Sequence, residues 1–520
     1  IGEAEVILVT GSNTTENHPV ISALIKRAAH YKNTKLIVVD PRRIKLAEFA
    51  HLWLRPRPGT DVAWINGLLH VIIKENLFDK TFIENRTTGF DELAKVVEAY
   101  NPDRVSEITG IPAKDIIKAA RMYAGGNPAS IVYCMGITQH ISGTDNVKSL
   151  ANLAMTCGNL GVPGGGVNPL RGQNNVQGAC DMGGLPDVYS GYQKVADPAI
   201  RAKMEAAWDV SGLPQTPGLK ATEMVPMAHE GKIKALYIAG ENPLVSDPDL
   251  NHTEESFRKL DFLVVQDIFM TETAKMADVV LPVASFAEKN GTFSNTERRV
   301  QRIRKAVPAS GRAREDWRIL CDIATRMGYP MTYPDARAVF DEIRSVTPSY
   351  GGITYDRLET EGIHWPCPAT DHPGTPILHV DQFPIGKGVF FPIEWVAPDE
   401  KIDEQYSFYL TTGRILYHYH TGTMTRKVEG LNERAPENYV EISPNDAEKY
   451  GLSDGDMVQV SSRRGQISAR AKISSAAVDG TVFIPFHFAE SAVNRLTNAA
   501  LDPVSKIPEF KVCAVKLEKA

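Results

Sequence analysis

Residues 6–19, VILVTGSNTTENHP, decide the fold class of this chain. The apolar, β-branched run at 6–10 predicts a buried parallel strand, and the glycine and polar residues after it predict a loop. A segment with helical periodicity follows over about 20–31, and KLIVVD at 35–40 predicts a second buried strand. This strand–loop–helix–strand unit indicates an α/β fold, in which ligands bind beyond the carboxyl ends of the strands.

Further segments of the first third also end in polar residues. IVYCMGITQH at 131–140 predicts a strand followed by glycine and amide, and RPGTD at 57–61 precedes a predicted helix that Thr60 or Asp61 could cap. At 40–43, DPRR could hold a ribose and a phosphate, although a turn with a surface salt bridge explains the same letters. This unit contains no G-x-G-x-x-G, which argues against an ordinary NAD site.

The middle third repeats the pattern. ALYIAGENP at 235–243, FLVVQDIFMT at 262–271 and ADVVLP at 277–282 each predict a buried strand with a polar end. Two related α/β regions with such strand ends suggest two nucleotide sites. The alternative is that any doubly wound domain shows these strand ends, because likeness at the level of the fold says little about ligands.

The last 120 or so residues differ in character, since about four short strands with turns between them predict a small β-barrel. Their ranges are 408–412, 457–461, 466–471 and 481–484. His418 and His420 alternate in one loop without a carboxylate nearby, which argues against a metal site there. The Pro-, Gly- and His-rich segment from about 350 to 398 predicts an irregular linker, and the basic residues up to Lys305 predict a solvated face.

Composition excludes several classes of protein. A chain of 520 residues with 43% hydrophobic residues and a net charge of −6 predicts several domains, and no partnership with nucleic acid or an anionic membrane. No apolar run approaches the length of a membrane span. The six cysteines are scattered without a C-x-x-C pair, so they predict free thiols in a reducing, cytoplasmic compartment and no local zinc or iron–sulfur site.

Residues 168–183, NPLRGQNNVQGACDMG, are too rich in amides and glycine for an ordinary amphipathic helix or core strand. Amide side chains supply paired donors and acceptors, glycines let a ligand approach the backbone, and Arg171 offers a rigid fork for an anion. A surface loop is the alternative interpretation, and the length and specificity of the run favour a binding role over it.

This run resembles the signature of formate dehydrogenase catalytic subunits, in the DMSO reductase family that carries molybdenum or tungsten on two molybdopterin guanine dinucleotides. Other motifs follow in the family's order from Gly11 to Lys511: GSN…HP, DPRR, MGITQH at 135–140, GENP at 240–243, QDIFMTETA at 266–274, ADVVLP and GTFSNTERRVQ at 291–301. The resemblance implies two related α/β dinucleotide-binding domains and a C-terminal six-stranded, double-psi-type β-barrel. The expected domains are 1–173, 174–285, 286–398 as the rest of the cluster-side domain with a linker, and 399–520 as the barrel.

The resemblance also implies the activity, the reversible two-electron oxidation of formate to CO2, and the residues involved. Arg171 is the implied catalytic residue. One guanosine and pyrophosphate arm is implied at Gly11, Asn13, Asn17, Asp40, Arg42, Gly59, Asp61, Gly136 and Gln139. The other arm is implied to begin at Gly240, Glu241, Asn242, Gln266, Asp267, Ile268 and Thr271. Met135, Gly172 and Gln173 complete the implied cofactor set, with Arg414, His418, Tyr419, Asn494 and Lys511 from the barrel.

The chain departs from the family in one respect. The four-cysteine segment for a [4Fe-4S] cluster and the metal-ligating cysteine or selenocysteine, followed by histidine, are not in this sequence, so it resembles the part downstream of them. A shortened polypeptide, a second polypeptide and a gene split at a selenocysteine codon remain open explanations. The implied partners are this N-terminal portion and electron-transfer subunits of iron–sulfur, flavin or hydrogenase type. One alternative is a nitrate reductase-like enzyme of the same family, which the intact RGQNNVQGA run at 171–179 disfavours. The other is a non-catalytic scaffold in an electron-transfer complex, and the intact Arg171 and both sets of strand-end motifs argue against it.

Overall fold

The computed structural model describes residues 1–520 and divides them into two compact units. The first unit consists of Ile1–Leu170, Val245–Thr253 and Ile377–Ala520, and the second of Arg171–Leu244 and Glu254–Pro376. Both contain helices and parallel strands, which confirms the predicted α/β class. The division into four domains stays a prediction.

Residues 1–170 form a five-stranded sheet. Its strands are β1 (Val6–Thr10), β2 (Lys35–Val39), β3 (Leu52–Leu54), β5 (Ala129–Tyr133) and β6 (Gly166–Pro169), and β4 (Thr87–Thr88) lies outside this sheet. The helices are α1 (Thr14–Asn17), α2 (Pro19–Tyr31), α3 (Asp61–Lys74), α4 (Lys80–Arg86), α5 (Phe90–Val97), α6 (Pro102–Thr109), α7 (Ala113–Ala124), α8 (Met135–Thr138) and α9 (Gly143–Thr156). All strands of the sheet are parallel, in the order β3-β2-β1-β5-β6, so the carboxyl ends of β2, β1 and β5 are neighbours.

Helices cover this sheet on both faces. Leu8 belongs to the same buried cluster as Trp64 of α3, whereas Ile7 and Val9 belong to the cluster of Ile25 in α2. Every residue of β1 is buried for this reason, as its continuous apolar run predicts. The sheet therefore presents its polar chemistry at the ends of its strands.

Residues 171–376 contain three small sheets, one of which is the antiparallel pair of β7 and β8. The strands are β7 (Val188–Tyr189), β8 (Gln193–Lys194), β9 (Ala235–Ala239), β10 (Phe262–Asp267), β11 (Val279–Pro282), β12 (Gly291–Ser294), β13 (Arg299–Ile303) and β14 (Ile363–His364). The helices are α10 (Val176–Asp181), α11 (Pro198–Trp208), α12 (Ala221–His229), α13 (Pro243–Ser246), α14 (Leu250–Arg258), α15 (Glu272–Met276), α16 (Asp316–Arg326), α17 (Ala336–Val346) and α18 (Tyr355–Leu358). Strands β11, β10 and β9 pair in parallel, and β12, β13 and β14 pair antiparallel.

The expectation that the three middle strands are buried is wrong at several of their positions. Tyr237, Phe262 and Val279 are 41%, 45% and 38% exposed. Leu263 and Val265 point to the other face of β10 and are buried in the cluster that includes residues of α12 and α14. A strand covered on one face alternates between buried and exposed positions. When successive residues are all apolar, the sequence does not show which face is covered.

Residues 377–520 contain a closed barrel, which confirms the predicted six-stranded domain. The elements are β15 (Gly388–Val389), β16 (Phe408–Gly413), α19 (Glu429–Asn432), β17 (Tyr439–Ile442), α20 (Pro444–Lys449), β18 (Met457–Ser461), β19 (Gln466–Ile473), β20 (Thr481–Pro485) and β21 (Cys513–Lys519). The barrel order is β16-β20-β17-β19-β18-β21. Leu410, Val440, Val458 and Val482 are inaccessible to solvent in its interior.

Residues 377–398, which we call the strap, lie at the end of the segment predicted to be an irregular linker, and they form hydrogen bonds with residues of α3 and α9. The side-chain amide of Asn152 donates to Phe391 O at 2.7 Å and accepts from Phe391 N at 3.1 Å. Asn66 Nδ2 donates to Ile393 O at 2.8 Å, and β15 pairs with β4. Outside the short β15–β4 pair, the side chains of buried asparagines form hydrogen bonds with the irregular backbone of the strap, and the hydrophobic periodicity of the sequence does not reveal such contacts.

No helix of the chain combines the length and hydropathy that crossing a membrane requires. All six cysteines are free thiols.

Candidate functional site

The loops after β1 and β5 touch through two glycines. Gly11 has φ of +56°, and an added Cβ there would lie 2.6 Å from the backbone nitrogen of Ile137. Gly136 N donates to Gly11 O at 2.9 Å, and a Cβ at Gly136 would lie 2.5 Å from Gly11 Cα. Both positions therefore require glycine, and the two predicted strand ends come together.

The loop after β1 carries buried polar atoms. Asn13 precedes α1, and its carbonyl oxygen accepts from Asn17 N at 3.0 Å. The Oδ1 of Asn13 and the hydroxyls of Ser12 and Thr14 are buried and form no hydrogen bond within the chain. Buried polar atoms are nearly always satisfied in proteins, so this loop is suited to hydrogen-bonding a ligand.

Asp40, which follows β2, lies at the same strand ends together with two cations from the barrel region, Lys511 and Arg414. Burial raises the pKa of Asp40 to about 6, against the opposing effects of the Arg42 backbone N–H and of the Arg42 and Lys511 charges. Burial lowers the pKa of Lys511 to about 8, and Lys511 Nζ donates to Thr412 O at 2.6 Å. The Arg414 guanidinium lies 3.9 Å from Met135 Sδ, and burial lowers its pKa. We call these residues, with the two glycines and Asn13, the first strand-end cluster.

Asp61, at the start of α3, also belongs to this cluster, and it lies beside His140, which the sequence indicated only as the last residue of MGITQH. Trp64 Nε1 donates to Asp61 Oδ1 at 3.1 Å, and Asp61 Oδ2 lies 3.6 Å from His140 Nε2. Burial raises the pKa of Asp61 and lowers that of His140. Thr60 does not cap α3 with its side chain as expected, because its hydroxyl donates to Arg57 O at 2.7 Å.

Arg42 is engaged by the barrel. Its Nη2 and Nε lie 2.9 and 3.2 Å from Glu441 Oε1, and its guanidinium stacks 3.5 Å from the ring centroid of Phe483. Burial favours loss of the proton, but Glu441 outweighs it and the pKa of Arg42 is raised. Arg42 is therefore at the predicted strand end and also joins the first sheet to the barrel.

Other predicted residues are held by local partners. The ring nitrogens of His418 contact Ala435 O at 2.7 Å and Thr425 Oγ1 at 3.3 Å. Tyr419 N donates to Thr425 Oγ1, and its side chain is an electrostatic partner of Arg414. Asn494 Nδ2 donates to Val245 O at 2.9 Å.

Gly59 and Gln139 complete the predicted residues of this unit. Gly59 O accepts from Trp395 Nε1 at 2.9 Å, and a Cβ at Gly59 would lie 2.3 Å from Pro398. Gly59 is therefore required for the docking of the strap. Gln139 is buried at the end of α8.

The predicted residues of the second unit gather after β9 and β10. Gly240 N donates to Gln266 O at 2.8 Å, and Glu241 follows in the same loop. Gly240 has φ of +66°, and an added Cβ there would meet no atom within 4 Å. Its backbone is therefore open to close approach. We call Gly240–Asn242 and Gln266–Thr271 the second strand-end cluster.

Side chains of the second strand-end cluster mostly form hydrogen bonds with residues of the same or neighbouring loops. Asn242 Oδ1 accepts from Thr273 Oγ1 at 2.7 Å, and Asp267 Oδ1 accepts from Phe269 N at 3.1 Å, with Ile268 N–H also facing Asp267. Thr271 caps α15 by accepting from Ala274 N. The Gln266 amide accepts from Tyr237 and donates to Asp316, at 2.5 and 2.9 Å.

Arg171 is fixed at both its backbone and its side chain. Its backbone nitrogen donates to Thr296 Oγ1 at 3.1 Å, and its Nε donates to Gln177 Oε1 at 3.0 Å. Gly172 and Gln173 lead into α10, a helix of six residues within the amide-rich run. This helix places Gln177 and Asp181 on one face, one turn apart.

Asp181 is a fully buried carboxylate that the sequence analysis missed. It accepts from Gln177 Nε2 at 2.7 Å, Tyr192 Oη at 2.8 Å, Tyr350 Oη at 2.6 Å and Trp365 Nε1 at 2.7 Å. Tyr350 is 169 residues away along the chain, so no local pattern signals this cluster.

Comparison with known proteins agrees with this architecture. Residues 1–326 match the molybdopterin oxidoreductase family, and residues 408–514 match the molydopterin dinucleotide binding domain. F420-dependent formate dehydrogenase 1 subunit alpha of Methanococcus maripaludis is 52% identical over 100% of this chain and 77% of its own length. Formate dehydrogenase H of Escherichia coli is 42% identical over 100% of this chain and 73% of its own length.

Acetylene hydratase from Pelobacter acetylenicus has the same fold, with a TM-score of 0.79 at 22% identity, over 99% of this chain and 78% of that chain. The family match covers more than half of the chain, and relatives above 40% identity extend over all of it. This chain belongs to the molybdopterin oxidoreductase family.

Proposed function

We propose that this chain is the catalytic subunit of a formate dehydrogenase. The reaction is HCOO⁻ → CO2 + H⁺ + 2e⁻, in which the C–H bond of formate breaks and both electrons leave the substrate. The carrying observation is that relatives 50 to 53% identical over at least 99% of the chain are named formate dehydrogenase alpha subunits. The fixed guanidinium of Arg171 supports the same conclusion, because a small carboxylate needs a pre-oriented cation.

The side chains of the first strand-end cluster fit a guanine dinucleotide. Asp40 and Asp61 offer carboxylates to the N–H edge of a base and to ribose hydroxyls, and Lys511 and Arg414 offer cations to a pyrophosphate. The buried polar atoms at Ser12–Thr14 are also suited to such a ligand. We assign one arm of the cofactor to this cluster and the other to the second strand-end cluster.

Arg171 neutralises formate and orients its C–H bond in this mechanism. Gln177 holds the Nε of Arg171, so the plane of the guanidinium is set before the substrate arrives. When bound, the molybdenum or tungsten centre with its two molybdopterin guanine dinucleotides supplies the acceptor for the two electrons. The four-cysteine segment implied by the family resemblance is proposed to carry the [4Fe-4S] cluster through which the electrons leave.

Electron-transfer subunits are the proposed partners. Three relatives at 50 to 53% identity are named F420-dependent, so we propose F420 as the final acceptor. The complete assembly, purified without oxygen, should reduce F420 with formate and should not reduce NAD. Reduction of NAD alone would contradict this acceptor and leave formate oxidation intact.

The function is tested in the purified assembly with Arg171→Lys. A lysine cannot reproduce the planar fork, so formate-dependent dye reduction should fall at least about tenfold, while metal and pterin content per protein stay unchanged. Arg121→Lys is the matched control, because Arg121 is exposed and pairs with Glu75 on the surface. Unchanged turnover per metal in Arg171→Lys would remove Arg171 from the substrate site.

Nitrate reduction is the second candidate, because the assimilatory nitrate reductase catalytic subunit of Bacillus subtilis is 38% identical over 99% of this chain. The same wild-type preparation should be assayed with reduced viologen and nitrate. Nitrate reduction in the absence of any formate oxidation would overturn the proposed function.

A further inference from the structure

We propose that Asp181 is a positioning residue for Arg171, acting through the side-chain amide of Gln177. This inference deepens the proposed function and rests on it in one respect, namely that Arg171 binds formate. Asp181 lies one helical turn beyond Gln177 in α10, and the side chain of Gln177 contacts both Arg171 and Asp181.

Asp181 is surrounded by donors. Gln177 Nε2 and Tyr192 Oη donate to Oδ1, and Tyr350 Oη and Trp365 Nε1 donate to Oδ2. Gln177 Nε2 also donates to the Tyr192 hydroxyl. An ionised carboxylate only accepts hydrogen bonds, and it has about four lone-pair sites. The four donors therefore occupy the acceptor sites of this carboxylate, and the Arg298 guanidinium interacts with it electrostatically.

The carboxylate decides which end of the Gln177 amide faces Arg171. Gln177 Nε2 donates to Asp181 Oδ1 at 2.7 Å, so Gln177 Oε1 must point the opposite way, towards Arg171 Nε at 3.0 Å. If the amide rotated by half a turn, its NH2 group would meet the guanidinium, and two donors would face each other. Asp181 prevents this rotation because it cannot donate to the amide oxygen.

The orientation of the guanidinium follows from this contact. Arg171 Nε is fixed by Gln177, and its backbone is fixed by Thr296. The side chain of arginine loses much conformational freedom when it is held in this way before binding, and a pre-oriented fork binds a carboxylate better. Asp181 is fully buried and its oxygens accept from four protein side chains, so we infer that its effect on formate passes through Gln177 and Arg171.

The first test is Asp181→Asn in the purified assembly. Asparagine has nearly the same shape, but its NH2 group can donate to a rotated Gln177 amide. The KM for formate should rise at least about fivefold while kcat changes less than about twofold, with metal and GMP per protein unchanged. In the double variant with Arg171→Lys, kcat/KM should equal that of Arg171→Lys alone. Multiplication of the two single effects would overturn the proposal.

The second test does not depend on turnover. Phenylglyoxal modifies arginine side chains, and mass spectrometry of peptides gives the rate at each position. Arg171 should react at least about threefold faster in Asp181→Asn than in the wild type, while the exposed Arg121 reacts at an unchanged rate. An unchanged rate at Arg171 in the folded variant would overturn the proposal. Absence of formate oxidation in the wild type would instead contradict the proposed function alone.

Two further variants keep the tests decisive. Gln177→Leu removes the link but leaves Asp181 its other three donors, so it should give the same KM and labelling changes even if Asp181→Asn fails to fold. Asp446→Asn is the matched control, because Asp446 is a buried carboxylate that accepts from Ser443 Oγ and Gly480 N. It should leave both readouts unchanged, and a folded Gln177→Leu with unchanged readouts would also contradict the proposal.

Discussion

At the scale of the residue, burial decides the protonation of Glu509. Its side chain is inaccessible to solvent, and Ile141 N and Asn498 Nδ2 lie 3.4 Å from its oxygens. Burial raises the pKa of Glu509 from 4.5 to about 7, against the smaller effects of these hydrogen bonds. The folded chain therefore binds more protons than the unfolded chain between those pH values, and this contribution to stability is lost as the pH rises from 4.5 to 7.

Glu509→Gln should remove this pH dependence. The free energy of unfolding of the variant minus that of the wild type should increase by on the order of 3 kcal/mol from pH 4.5 to pH 8, because each pKa unit corresponds to about 1.4 kcal/mol. Differential scanning calorimetry at both pH values measures the two apparent Tm values. Glu448→Gln, at an exposed position of α20, is the control and should show no such difference. A Tm difference that stays constant with pH would contradict the expectation.

At the scale of the element, the strap is held by a few hydrogen bonds from buried asparagines. Asn152→Leu removes the partner of both Phe391 N and Phe391 O, and a typical intramolecular hydrogen bond contributes about 0.5–1.5 kcal/mol to stability. Limited proteolysis followed by mass spectrometry should show cleavage within 377–398 at least about tenfold faster than in the wild type. Asn152→Asp keeps the acceptor for Phe391 N and should be intermediate.

Asn445→Leu is the control for the strap, because Asn445 lies at an exposed position of α20. It should leave cleavage of the strap unchanged. Equal protection of the strap in Asn152→Leu and the wild type would show that the other contacts of the strap suffice.

At the scale of the whole molecule, each compact unit carries one strand-end cluster with a left-handed glycine, Gly11 in the first and Gly240 in the second. If each cluster binds one dinucleotide, the purified assembly should release two GMP per molybdenum or tungsten atom on acid hydrolysis. Nucleotide chromatography and elemental analysis of one preparation measure this ratio. A ratio near one would remove one of the two clusters from cofactor binding.

The sequence by itself determined the α/β class, the barrel and the order of the strand ends. These features follow from local patterns, because the apolar pattern of a strand predicts which of its residues are buried. The run is continuous in β1, where every residue is buried, and alternating in β19, where buried and exposed residues alternate. The residue types after each strand likewise indicated where polar groups gather, and the conformations of Gly11 and Gly240 agree with that.

Only the tertiary structure decided which side chains these groups meet. The sequence could not show that Arg42 pairs with Glu441, that Tyr237 is exposed, or that the strap docks on Asn152. Asp181 is the clearest example, since its donors Tyr350 and Trp365 lie 169 and 184 residues further along the chain. Periodicity reports the environment of a segment, whereas hydrogen-bond partners depend on how distant segments meet in space.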